Sequence, residues 1–120
     1  MGGLRLKFVI KGRLPSLNDM ILASRGSVYG ANQQKKRVQR DIIVQLPNVK
    51  VNEYPVEIHV NFYEPDNRRD VDNVIAGCKF LLDALVAKGI LVNDSRKYVS
   101  QIQAFVFTDR DNPRIEVAVR

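Results

Sequence analysis

The chain has 120 residues, enough for one domain with a modest core, and no stretch of about 18 apolar residues able to span a bilayer. One cysteine, Cys78, and one histidine, His59, exclude an internal disulfide and a zinc site of thiolate and imidazole ligands alone. The net charge of +6 is uneven: residues 1–50 hold ten Lys and Arg against Asp19 and Asp41, and residues 51–120 hold nine against eleven Asp and Glu, so +8 precedes −2.

Leu4 to Ile10 alternates apolar residues with Arg5, Lys7 and Val9, which predicts a half-buried strand. Met1 to Lys11 has no cleavage-site pattern, so no signal peptide is expected and the compartment is read as cytoplasmic. Leu14 to Gly30 mixes Pro, Ser, Asn and Gly and reads as a long loop, with Arg13 and Arg25 as cations. Tyr29 in that loop is either packed or a stacking partner for a base. Asn32 to Gln45 predicts a helix capped by Asn32, with Val38 and Ile42 on its apolar face. Its Lys35, Lys36, Arg37 and Arg40 are candidate contacts to a phosphate backbone; the bland alternative is a solvated basic face.

Pro55 to Tyr63 alternates Val56, Ile58, Val60 and Phe62 against Glu57, His59, Asn61 and Tyr63, the pattern of a strand. Asp72 to Lys88 predicts one helix, stopped at Gly89, with an apolar surface wide enough to suggest burial against a sheet and a further element, such as a partner subunit. Cys78 and His59 read as structural residues. Lys97 to Thr108 and Arg114 to Arg120 read as two strands forming a hairpin across Asp109 to Pro113. The resulting order, β-α-β-α-β-β, is an α+β single domain over 1–120 with a small mixed sheet and two main helices.

The chemistry concentrates in Arg68-Arg69-Asp70-Val71-Asp72-Asn73. In extended backbone, residues i and i+2 project to one side, so Asp70 and Asp72 would aim at one point before the helix. Two converging carboxylates repel unless a proton or cation sits between them, and Mg²⁺ prefers such oxygens and bridges to phosphates. The alternative is structural: Asp72 caps the helix while Asp70 pairs with Arg68 or Arg69. Lys79 stands isolated among apolar neighbours, and its alternative role is a surface pair with Asp83.

Arg69-Asp70-Val71-Asp72-Asn73, Lys79 with Asp83-Ala84-Leu85, Gly89 and Asn93-Asp94 resemble the RusA family of crossover junction endodeoxyribonucleases, carried by prophages and some bacterial chromosomes. Leu14-Pro15-Ser16-Leu17-Asn18 is similar to that family's N-terminal segment. The resemblance implies catalytic, metal-holding aspartates at Asp70, Asp72 and Asp94, and a catalytic lysine at Lys79. It also implies a RusA-like fold, Mg²⁺ or Mn²⁺ as cofactor, four-way (Holliday) junction DNA as substrate, a homodimer, and a role in recombination and repair. This chain carries about three more residues between Asp72 and the lysine than the best-known members, close to one helical turn. A rigid alignment from Asp72 would put Ala76 at the lysine position. Asn93 stands where those members have an acidic residue and keeps only a carbonyl oxygen.

On that reading Lys79 stabilises charge in the transition state, Arg68 and Arg69 position flanking phosphates, and Asn73 contacts DNA or supports Asp72. Arg13 joins the basic residues on the DNA. Two other classes remain open: a non-catalytic nucleic-acid-binding module, and a structural protein of a phage particle.

Overall fold

The computed structural model describes residues 3–120, so Met1 and Gly2 of the first predicted segment lie outside it. The elements are β1 (Leu6–Lys11), α1 (Leu17–Gly26), α2 (Val28–Ile43), β2 (Val56–Glu64), α3 (Val71–Ile75), α4 (Cys78–Lys88), β3 (Val99–Thr108) and β4 (Arg114–Val119). One four-stranded mixed sheet has the order β1-β4-β2-β3. β4 pairs antiparallel with both β1 and β2, and β3 pairs parallel with β2. The α+β class and mixed sheet agree with the sequence reading.

The strands with the cleanest apolar alternation, β2 and β4, form the centre of the sheet. Val56, Ile58, Val60 and Phe62 of β2 and Ile115, Val117 and Val119 of β4 are almost fully buried. They meet Val38 and Ile42 of α2 and Leu81, Ala84 and Leu85 of α4 in one core. The buried rows of β1, β4 and β2 therefore all point to the same face of the sheet, the one that carries the helices.

Four expectations are corrected. The predicted loop Leu14–Gly30 is largely helical. Ser16 accepts from the Asp19 amide while the Asp19 carboxylate accepts from the Ser16 amide, a capping box that starts α1. The next helix begins at Val28, capped by Ser27 rather than Asn32, and ends at Ile43; Tyr29 lies within it, exposed. The helix predicted over Asp72–Lys88 is two pieces broken at Ala76-Gly77, where bonds to the third residue back tighten the chain, as from Gly77 N–H to Val74 O and Phe80 N–H to Gly77 O. A Cβ on Gly77 would sit 3.1 Å from Leu14 Cβ, so glycine lets the segment before α1 press against this break. Gly89 ends α4 with a φ of 87°, as its position predicted.

The fourth correction concerns the hairpin. β3 and β4 are adjacent in sequence, yet β2 lies between them. The Asp109 amide donates to Glu64 O at the end of β2, and Arg114 donates to the Asp109 carboxylate and to Asn112 O, so the turn carries the chain across the end of β2. The wide apolar surface of the second predicted helix is buried, as expected, against the sheet and a further element, which is α2: Leu81, Ala84 and Leu85 are almost wholly buried, and Ile75, Leu82 and Val86 partly so.

Candidate functional site

Asp70 occupies the N-cap position of α3 with extended backbone and makes no side-chain capping bond. It, rather than Asp72, starts the helix. Asp72 is in the first turn, where its Oδ1 accepts from the Asn73 amide at 3.0 Å. Both carboxylates are exposed. Because α3 begins at Val71, the same-side argument for extended chain applies only up to Asp70. Asn73 Oδ1 accepts from the Asn18 amide at 3.2 Å, tying α3 to the start of α1.

The neighbouring arginines differ sharply. Arg68 is 88% exposed and 3.7 Å from Asp66. Arg69 donates to Leu14 O and to Asp19 Oδ2, each at 3.0 Å, and lies 3.8 Å from Glu64. Arg13 donates to Glu64 Oε1 at 2.6 and 3.2 Å, and that glutamate is buried. Arg13, Glu64, Arg69 and Asp19 thus form one network over the end of β2. The Glu64 hydrogen bond raises the Arg13 pKa. The Ser16 backbone N–H, then its hydroxyl and Arg69, hold the Asp19 carboxyl below its ordinary value. Arg37 of α2 faces Arg13 and Arg69 across a cleft of about 410 Å³. Sequence reasoning missed Glu64 and Asp19; Asp19, three residues after Ser16, was legible as the partner in a capping box.

Lys35, Lys36, Arg37 and Arg40 are all exposed on α2, as expected. Lys79 is exposed at the start of α4 with Nζ 3.3 Å from Asp83, and Lys35 approaches the other oxygen of that carboxylate at 3.6 Å. The surface pair weighed from the sequence is therefore formed. Cys78 is buried and its thiol is pushed up to about 11 by desolvation, which makes it inert. His59 stays on its strand, 2.9 Å from Glu57.

Asp94 lies elsewhere. The chain leaving α4 is pinned beside the start of β2, since Ile90 O accepts from the Val51 amide and the Val92 amide donates to the Tyr54 hydroxyl. Asn93 Oδ1 accepts from the Ser95 amide and closes a local turn there. Asp70 instead follows the end of β2, held by the Arg69–Glu64 contact. The nine residues of β2 span about 26 Å at ~3.3 Å per residue. Asp94 thus sits at the opposite end of the sheet from Asp70 and Asp72. Among the described residues, no three Asp, Glu, His or Cys side chains converge on a metal-sized site. Nor is any helix of the described residues long and apolar enough to cross a membrane.

A mixed sheet thus carries its helices on one face, exposed carboxylates at its ends, and on α2 the cations Lys36, Arg37 and Arg40, which form no ion pair among the described residues. The family model for endodeoxyribonuclease RusA matches residues 29–120, and the chain belongs to that family. It is therefore an endodeoxyribonuclease, a hydrolase of a family that acts on branched DNA. The match contains Asp70, Asp72, Lys79 and Asp94, whereas Leu14 to Asn18 precedes it. No curated protein matches the chain.

Proposed function

We propose that the chain is a Mg²⁺-dependent endonuclease that resolves four-way DNA junctions by paired nicks, working as a homodimer in recombination. The observation that carries this reading is the family match across the segment holding Asp70, Asp72, Lys79 and Asp94.

Asp70 and Asp72 fit a hard cation, since Mg²⁺ takes one or two carboxylates and completes its shell with water and substrate phosphate. A cation held by these carboxylates would supply Lewis-acid polarisation of the scissile phosphate and a lowered pKa for the attacking water. Arg68 and Arg37 orient the flanking strand, while Arg13 and Arg69, engaged by Glu64 and Asp19, hold the segment before Asp70 in place. Lys79, exposed and 3.3 Å from Asp83, supplies positive charge along α4 if the phosphate lies against that helix.

Asp94 enters through a second copy. β3 is an edge strand of ten residues, Val-Ser-Gln-Ile-Gln-Ala-Phe-Val-Phe-Thr, with no charge, proline or glycine to protect it from pairing. Antiparallel pairing of two β3 strands about a two-fold axis would satisfy both edges. It would also set the Asp94 end of one copy beside the Asp70–Asp72 end of the other, giving two equivalent composite sites. A junction with homologous arms has a matching two-fold axis. The test is a labelled synthetic junction with and without Mg²⁺, alongside light scattering for mass. Metal-dependent paired nicks by a dimer are expected, with linear duplex cut poorly. Binding without metal-dependent nicking would leave only a nucleic-acid-binding module.

A further inference from the structure

The helices cover one face of the sheet; the other carries none of the buried residues among those described. Its composition changes across the strands. The row at the end nearest Asp70 reads Lys11, Arg114, Tyr63, Phe107 from β1 to β3. The next row ends in Asn61 and Phe105. Phe105 and Phe107 are 56% and 45% exposed, although a large apolar side chain normally turns inward. Phe107 lies against Tyr63 with ring centroids 5.2 Å apart and planes 25° apart, and against Phe105 at 6.5 Å and 21°. The Arg114 guanidinium covers the Tyr63 ring at 3.9 Å.

We propose that this uncovered face is a stacking platform for unpaired bases of branched DNA. The aromatic strip of Tyr63, Phe107 and Phe105 offers ring faces to bases, while Lys7 and Lys11 on β1 lie two strands from Tyr63 and three from the phenylalanines, on the side where the backbone of the bound strand would run. Base stacking on aromatic side chains tolerates any sequence, which suits a site that must recognise branching. The charge balance agrees. Arg114 is held by Asp109 and Glu116 at 2.8 and 3.0 Å, so the cations left for phosphate are Lys7, Lys11 and Arg120, against Glu57, which contacts His59. The strip is also continuous with the proposed site: Thr108 and Pro65, next in sequence to Phe107 and Glu64, line a cleft of about 510 Å³ with Arg68 and Arg110. A strand leaving Asp70 would pass these two arginines and reach the rings. The inference rests on the endonuclease reading for its substrate but concerns a different surface from the metal site and from the hydrogen-bonding edge of β3.

The test compares wild type with the double variant Phe105→Leu, Phe107→Leu, which keeps apolar volume and removes the rings. Affinities for a four-way junction, a dT oligonucleotide and a linear duplex are measured by fluorescence anisotropy in EDTA, so that cleavage plays no part. The variant should lose about tenfold or more on junction and single strand, with duplex affinity and salt dependence unchanged. Equal loss on all three DNAs, or no loss, would overturn the proposal. So would a shift from dimer to monomer in light scattering, which would make the patch a contact between copies. Should the variant not fold, wild type photocrosslinked to a 4-thio-dT strand decides the matter: adducts at Tyr63, Phe105 or Phe107 support the platform, and adducts elsewhere only refute it. Intact Mg²⁺-dependent nicking by wild type with no selective binding loss in the variant would end this inference alone; absent nicking by wild type would end the Mg²⁺-dependent junction-resolving reading on which it rests.

Discussion

If Asp94 serves the site of the other copy, two dead enzymes should rescue each other. Asp72→Asn removes a carboxylate at one end of the sheet and Asp94→Asn removes one at the other. The ends are about 26 Å apart along β2, far beyond the ~2 Å that separates Mg²⁺ from its ligands, so one chain alone cannot bring both to one ion. Each variant alone should be inactive. After subunit exchange at equal concentrations, about half the dimers are mixed, and each mixed dimer holds one site with both wild-type groups and one with neither. One site in four is then intact, so nicking should return to roughly a quarter of the wild-type rate. The product should also change, because a mixed dimer nicks one strand and leaves the junction unresolved. The assay is a labelled junction on a denaturing gel, with exchange verified by a mass tag on one variant. Verified exchange with no nicking would refute the composite site, since carboxylates drawn from a single chain cannot be restored by mixing.

Asp70→Asn should abolish nicking in the Mg²⁺ assay while leaving junction affinity nearly unchanged, because the amide keeps the shape and loses the charge. Lys79→Ala should lower the single-turnover rate much more than affinity, and its thermal stability should stay within about 1 kcal/mol because the Asp83 pair is exposed on the lysine side. Neutralising Lys35, Lys36, Arg37 and Arg40 together should flatten the slope of log affinity against log salt by about three to four units. Asp19→Asn should reduce stability to urea near neutral pH and by less as the solution is acidified. The folded Asp19 carboxyl is held below its ordinary value, so its contribution is present above the unfolded pKa and lost as pH falls through the folded one. A constant gap across that range would show that its charge does not stabilise the fold.

What the sequence discloses depends on how local the signal is. β2 and β4 were readable because each alternates residues between core and open face, and that pattern survives in the burial of every second side chain. α1 was hidden because none of its residues is buried; Leu17, Ile21 and Leu22 stay exposed, so no core imposes a helical stripe. The false hairpin came from treating neighbours in sequence as neighbours in the sheet, whereas the turn after β3 steps over the end of β2. Asp70, Asp72 and Asp94 were legible as candidate residues from their order and spacing. That Asp94 stands at the far end of the sheet follows from α4 running back along it, and no residue type at any single position records that.

The arginines make the same point with consequences for binding. Arg13 and Arg69 were expected on phosphates, yet both guanidiniums serve Glu64 and Asp19, and the two positive and two negative charges of that network sum to zero. A neutral network releases few counterions when DNA docks, whatever its count of arginines. Lys35 is likewise near Asp83. Lys36, Arg37 and Arg40 form no ion pair among the described residues, so α2 carries the charge that DNA can neutralise. The network has a different use. It holds the residue immediately before Asp70 through both terminal guanidinium nitrogens of its side chain, and a metal-holding carboxylate requires its backbone placed to within about 0.5 Å. Replacing Arg69 should therefore disturb where Asp70 points more than how tightly the protein grips DNA, whereas replacing Arg37 should do the reverse.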